Sequence, residues 1–375
     1  MTKTEKLLSD LIALPSVNPA FLQAGDRRAG EQRVGQFLAA VAAQAGLEVE
    51  FQEVQPGRAN LLARLAPRGK IRQRILLVPH LDTVNGELAQ FSPVKRGARL
   101  FGRGACDTKG SVAAMLVALG ETARSRQRPR ETEIIFAGVV DEENAQAGSR
   151  ALVAGGLKAG LAIVGEPTRL QVVTAHKGSL WLRLETRGKS AHGARPELGR
   201  NAVHEMARVV DTLETSYARQ LRKRRHTLLG HATVSVGMIQ GGTQPNVVPD
   251  ACSITIDRRT LPGEREAAVR REVVEFLRRR GFSVSLASTK LAPCLPMETN
   301  AGLPLVRQLL RGAGQRSPAG VDFFCDAAVL AEGGIPSVVF GPGDIAQAHT
   351  SDEWISTSSL ERAKDLLVNF LKSLH

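Results

Sequence analysis

Aromatic side chains are scarce here, with one tyrosine and two tryptophans among 375 residues. That argues against a stacking platform for nucleic-acid bases, even though the formal net charge is +13. The basic clusters 124–130, 222–225 and 278–280 fall in predicted loops or at helix ends, where cations complement the helix dipole. They read as a solvated surface with mild attraction for carboxylate-bearing substrates, and no nucleic-acid partner is expected. Cysteine is sparse too. Cys106, Cys252, Cys294 and Cys325 show no paired spacing and read as reduced thiols of a cytoplasmic protein. No apolar run reaches the ~18–20 residues of a membrane span, and Lys3, Glu5, Lys6 and Asp10 speak against a signal peptide. The expected protein is cytoplasmic, with no membrane partner.

What is present is an ordinary globular composition, 43% apolar and 23% charged, in a chain long enough for two domains. Apolar runs repeatedly end in chemistry-bearing residues. Ile75-Leu76-Leu77-Val78-Pro79 leads into His80-Leu81-Asp82, and Ile134-Ile135-Phe136-Ala137-Gly138-Val139-Val140 into Asp141-Glu142-Glu143. Leu161-Ala162-Ile163-Val164-Gly165 leads into Glu166, and 337–340 reads as a strand leading to His349. Open α/β sheets keep their sites at the carboxyl ends of such strands. Between the first two runs lies Gly102-Arg103-Gly104-Ala105-Cys106-Asp107-Thr108-Lys109-Gly110, which pins one carboxylate before an apolar helix. Taken alone, Asp107 is better read as a helix N-cap. With acids and imidazoles ending several other strands, it reads as a carboxylate whose two oxygens face two cations, the arrangement of a two-metal hydrolase.

The coarse pattern gives two bodies. Strands at 47–54, 60–65 and 75–80 alternate with helices at 4–13, 30–45, 112–123 and Ala147–Ala154, which argues for a layered α/β sheet. After Thr174 the order becomes strand 180–187, helix 201–221, strands 232–239 and 251–258, helix 264–280 and strand 282–286, an α+β sandwich with its own core. The chain then returns to the first body near 291.

The motifs His80-Leu81-Asp82, 102–110, Asp141-Glu142-Glu143, Gly165-Glu166-Pro167-Thr168 and Ala348-His349 resemble, in order, those of the co-catalytic zinc deacylases and peptidases. That family includes acetylornithine deacetylase, succinyl-diaminopimelate desuccinylase, aminoacylase and carboxypeptidase G. Gly165 to Gln171, Ala175 to Gly178 and Gly341 to His349 are most similar to the acetylornithine deacetylase type. The resemblance implies a mixed-sheet α/β metallopeptidase-like catalytic domain, 1–175 and 291–375. It also implies an inserted ferredoxin-like α+β lid and dimerisation domain, 176–290.

The resemblance also assigns roles. One metal takes His80, the bridging Asp107 and Glu166; the other takes Asp107, Glu143 and His349. Imidazole and carboxylate without thiolate suit two Zn²⁺ per chain, with Co²⁺ or Mn²⁺ as substitutes. Asp82 is expected to orient His80 through its second ring nitrogen. Glu142, next to a ligand but turned the other way, is the expected general base for a metal-bridged water. From the lid, His192 is expected to stabilise the oxyanion, with Asn246 and Arg259 contacting substrate and Arg259 gripping its carboxylate. Gly341 is placed among the substrate-binding residues. Several relatives, desuccinylases among them, carry an arginine where this chain reads Cys325-Asp326-Ala327-Ala328, so a second acidic substrate group is less readily accommodated, which favours a smaller N-acyl amino acid. The expected activity is removal of the acyl group from such a substrate, N-acetylornithine first, by a homodimer joined through the lid. Desuccinylase, general aminoacylase, glutamate-type carboxypeptidase, or a binding protein on the same scaffold are the alternatives.

Overall fold

A computed structural model describes residues 1–288 and 294–375. Its contacts divide the chain into two units: Met1–Thr174 with Thr299–Ala319 and Cys325–His375, and Ala175–Glu298 with Gly320–Phe324. The expected return at 291 lies outside the described residues. The structure departs from the sequence division at 320–324, which joins the second unit. There Ala319–Val321 pairs with Val173–His176, the Lys177 N–H donates to the Val321 carbonyl at 3.2 Å, and Lys177 meets Asp322 at 2.7 Å.

The first unit is a mixed α/β body. Gln73–Pro79 lies between Thr132–Gly138 and Leu161–Gly165, parallel to both, and Ser337–Val339 extends the parallel set. Arg58–Leu65 and Glu48–Gln55 add antiparallel strands at one side. The central strands are covered on both faces, so they read as continuous apolar runs and not as alternation. Ile75, Leu77, Ile134, Phe136, Leu161 and Ile163 enter one core with the helices Lys3–Ile12, Lys109–Ala123 and Thr357–Lys372. Leu76, Ile135 and Ala162, equally buried, point the other way, to the layer of Ala147–Ala154 and Ala327–Glu332. Burying a Leu or Ile side chain contributes about 1.5–3 kcal/mol. The parallel strands are thereby fixed, and so are the positions of their carboxyl ends.

One element escaped the sequence reading. Trp354–Ser356 pairs antiparallel with Arg99–Phe101, which pairs with Val94–Arg96. Strands of three residues are too short to show a period.

The second unit is a four-stranded antiparallel sheet, ordered Thr233–Gly241, Ala251–Thr260, Gly178–Arg187, Ser285–Ser288. With helices Ala202–Thr212 and Glu266–Arg278 in sequence between the strands, this is the ferredoxin-like arrangement. Leu180, Leu182 and Leu184 alternate inward with Ile254 and Ile256 to meet Met206, Val209, Val273 and Phe276. The single helix expected at 201–221 is instead interrupted by a π-helical segment, Leu213–Tyr217, that turns Tyr217 into this core.

Candidate metal centre

His80, the acidic triplet and Glu166 follow three neighbouring parallel strands, and His349 follows the fourth by way of 340–348. Asp107 comes from the loop before Lys109–Ala123. The two oxygens of Asp107 face different imidazoles: Oδ1 lies 3.1 Å from His80 Nε2, and Oδ2 lies 3.3 Å from His349 Nε2. On the first side Glu166 Oε1 is 3.9 Å from His80 Nε2; on the second, Glu143 Oε2 is 3.3 Å from His349 Nε2.

The tautomer of His80 follows from its partner. Nδ1 is 3.0 Å from the main-chain carbonyl of Asp82, and a carbonyl only accepts, so Nδ1 carries the hydrogen. That leaves the Nε2 lone pair of the neutral ring to bind a cation. The Asp82 carboxylate is farther from Nδ1, at 3.4 Å, and does something the sequence did not suggest. It accepts the N–H groups of Glu142 and Glu143, each at 3.1 Å, and the Asn18 amide at 2.7 Å. Asp82 thus fixes the triplet at least as much as it orients His80. Asp141 starts this turn with a φ of 69°, a left-handed conformation that non-glycine residues seldom adopt. It is held there by Arg58 at 2.9 Å and Asn18 at 3.0 Å.

Carboxylates outnumber cations in this cluster, and the ionisation reflects it. Burial pushes Glu166 and Glu142 well above the usual carboxylate range, reinforced by repulsion among the neighbouring acids. Burial also raises Glu143, against its bond to His349. Hydrogen bonds to Asp107 and Glu143 lift His349 to about 10. For His80, burial pulls the ring down, but its bonds to Asp107 and Asp82 prevail and leave it well above its ordinary value.

Divalent cations fit this donor set. Ligand atoms of His80, Asp107 and Glu143 all lie within 4.8 Å of one another, and the buried Glu143 Oε1 has no partner among the described residues. Imidazole nitrogen and carboxylate oxygen without thiolate are the ligands of a borderline cation such as zinc.

A second polar group forms within the other unit. His192 bridges to Val247, and the Gly193 N–H donates to the Asn246 carbonyl at 2.7 Å, so both side chains stand on one exposed ladder. A Cβ on Gly193 would lie 2.9 Å from that carbonyl oxygen, so the ladder depends on glycine there. Arg259 is bound to Asp257 at 3.0 Å and lies over the Phe324 ring, while Arg258 turns inward to Tyr217 and Glu264.

The family model for peptidase family M20/M25/M40 matches residues 76–373. The chain belongs to this family. An acetylornithine deacetylase of Myxococcus xanthus is 34% identical over 322 residues, 83% of this chain and 82% of that protein. Another, of Edwardsiella ictaluri (strain 93-146), is 30% identical over 378 residues, 96% of this chain and 95% of that one. The fold is similar to that of aminopeptidase PepT from Bacillus cereus ATCC 10987, with TM-score 0.77, 21% identity and 99% and 97% of the two chains covered. It is also similar to the M20 family metallo-carboxypeptidase Sso-CP2 from Sulfolobus solfataricus, with TM-score 0.77, 18% identity and 99% of each chain covered. This M20 protein is a metal-dependent amidohydrolase.

In this M20 chain Gly341 does not offer a free donor to a ligand. Its N–H goes to Thr168 Oγ1 at 3.1 Å, and a Cβ there would lie 2.4 Å from Ser111 Oγ and 2.5 Å from the Glu166 carbonyl. It is a close-approach residue that lets the Glu166 turn pack. Sequence reading also missed Asn18, Arg58 and Glu353. Asn18 had one signal, an Asn-Pro turn, but the partners of all three are distant in sequence. Among the described residues, no helix is long and apolar enough to cross a membrane.

Proposed function

We propose that this M20 enzyme deacylates an N-acylated amino acid, N-acetylornithine first, with two Zn²⁺ ions. One is held by His80, Asp107 and Glu166, the other by Asp107, Glu143 and His349. The observation that carries this reading is the Asp107 carboxylate, with one oxygen toward each imidazole. When bound, the cations polarise the acyl carbonyl and make water acidic enough to attack it near neutral pH. Glu142, held through its amide by Asp82 but not itself in the ligand contacts, takes the proton of the attacking water. It then delivers that proton to the departing amine. Burial, reinforced by the acids that crowd Glu142, raises its affinity for a proton, which favours its taking one from the water. His192 stabilises the oxyanion, Asn246 adds a hydrogen bond, and Arg259 grips the substrate carboxylate.

Acetylornithine as substrate is supported by the two deacetylases named above and by the Cys325 segment. Asp326, fully buried, accepts Ser149 Oγ at 2.6 Å, and Ala327 and Ala328 offer no cation for a second acidic group. A homodimer through the second unit is supported by its edge strand Thr233–Gly241, where Met238 is 69% and Ile239 59% exposed. Reduced buried thiols at Cys106, Cys252 and Cys325 agree with a cytoplasmic enzyme. A panel of acetyl-, succinyl- and formyl-amino acids assayed by amine release tests the reading. The expected result is highest kcat/KM on N-acetylornithine, abolished by chelation. Preference for succinyl-diaminopimelate or an acyl-glutamate overturns the substrate; activity indifferent to exhaustive chelation overturns the mechanism.

A further inference from the structure

Glu353 is a buried carboxylate, 2% exposed, that no step above uses. Its Oε1 accepts the N–H groups of Cys106 at 2.8 Å and Asp107 at 3.0 Å. Its Oε2 accepts the N–H of Gly104 at 3.0 Å and a guanidinium N–H of Arg103 at 2.8 Å. The short sheet sets this register: Trp354 pairs with Phe101, and the Gly102 N–H donates to the Glu353 carbonyl at 3.0 Å. The same segment carries His349 four residues earlier, and the Gln90 side chain braces it through the Thr350 and Ser351 carbonyls at 3.2 and 3.0 Å. A residue present only to neutralise Arg103 would have no need of three converging amides. Amides gathered on one anion are a nest, and bonds to an ionised acceptor are about twice as strong as neutral ones.

We propose that Glu353 is a positioning residue for the bridging ligand. One carboxylate grips the loop of Asp107 while its backbone belongs to the segment of His349. It therefore fixes the spacing of two ligands that share a cation with Glu143. The inference rests on the ligand assignment above. Loss of Glu353 weakens the cation between Asp107, Glu143 and His349 more than the one between His80, Asp107 and Glu166, because His80 and Glu166 are placed by the central strands.

Full-length protein stripped of metal is titrated with Zn²⁺ against a competing chelating dye, for wild type, Glu353→Gln, Glu353→Asp and Glu133→Gln. Glu133 is a buried acid paired with Arg74 at the opposite end of its strand, and controls for the general cost of losing such a group. Thermal unfolding of each metal-free protein reports folding. Wild type is expected to take up two ions. Glu353→Gln should weaken one of the two sites by about 10–100-fold and the other by much less, with Glu353→Asp between. Glu133→Gln should lower metal-free stability and leave both affinities in place. Unchanged affinities in folded Glu353→Gln, or in Glu353→Asp should the first variant not fold, overturn the inference, as does an equal loss in Glu133→Gln. A wild-type protein that takes up no divalent ion overturns the ligand assignment itself, and the inference with it.

Discussion

In the first unit most of the reactive side chains are packed away from water, with His80 at 2%, Asp82 at 0% and Glu166 at 4% exposure and only His349 open, whereas in the second both His192 and Asn246 stand open to solvent. The contrast extends to a shared residue type. His80, buried among carboxylates, is driven well above its ordinary value, while His176, equally buried in the second unit, is driven down to about 4. Burial disfavours charge in both, and only the first ring has anionic neighbours strong enough to reverse it. A buried cluster with more carboxylates than cations is costly unless something positive completes it. The first unit is therefore built around cations supplied from outside. The second presents polar side chains that stay open to solvent.

The sharpest way to break the first half of that contrast is inside the acidic triplet. Glu142→Ala should keep two bound ions and lose about 10²–10⁴ in turnover, or about 3–5.5 kcal/mol of barrier. Glu143→Ala should also lose an ion, because Glu143 and not Glu142 meets His349. Metal analysis beside single-turnover rates checks both. Ion loss in Glu142→Ala with full occupancy in Glu143→Ala would reverse the roles.

The second half depends on His192, and subunit mixing reaches it. His192→Ala and Glu142→Ala, each nearly inactive alone, are allowed to exchange subunits. If His192 serves the partner's site, a mixed dimer has one complete site. About half the dimers are then mixed, and about a quarter of wild-type activity returns. No return despite demonstrated exchange shows that the histidine serves its own chain.

Much of the first unit was legible because parallel strands buried on both faces write themselves as unbroken apolar runs, and His80, Asp141 and Glu166 sit where such runs stop. The second unit was legible for the opposite reason, as strict alternation from Leu180 to Leu184. What stayed hidden acts across long sequence separations through the main chain. Glu353 holds amides some 250 positions away, and Asp82 holds amides 60 positions away. Neither bond leaves a period or spacing to read. The packing role of Gly341 also stayed hidden, because a glycine near a site looks the same whether it admits a ligand or a neighbouring backbone.

The smallest expected effect concerns His176, and it separates burial from charge as the source of the contrast. Nδ1 donates to the Lys177 carbonyl at 2.9 Å, and the buried Nε2 has no partner among the described residues. Burial holds the ring neutral down to about pH 4, whereas in the unfolded chain it takes a proton near its ordinary value of 6.5. Between those limits the unfolded state binds more protons, so native stability falls as pH falls, and above about 6.5 His176 contributes no slope. At about 1.4 kcal/mol per pH unit, lowering pH from 8 to 5 should cost the native state about 2 kcal/mol through this residue. His176→Asn keeps a donor toward the Lys177 carbonyl and removes the titration. Urea unfolding of both proteins at pH 8 and pH 5 should therefore show the variant losing less stability than wild type on acidification. Equal losses would mean that the native ring takes up its proton as readily as the unfolded one, and that burial without an anionic neighbour does not set its charge.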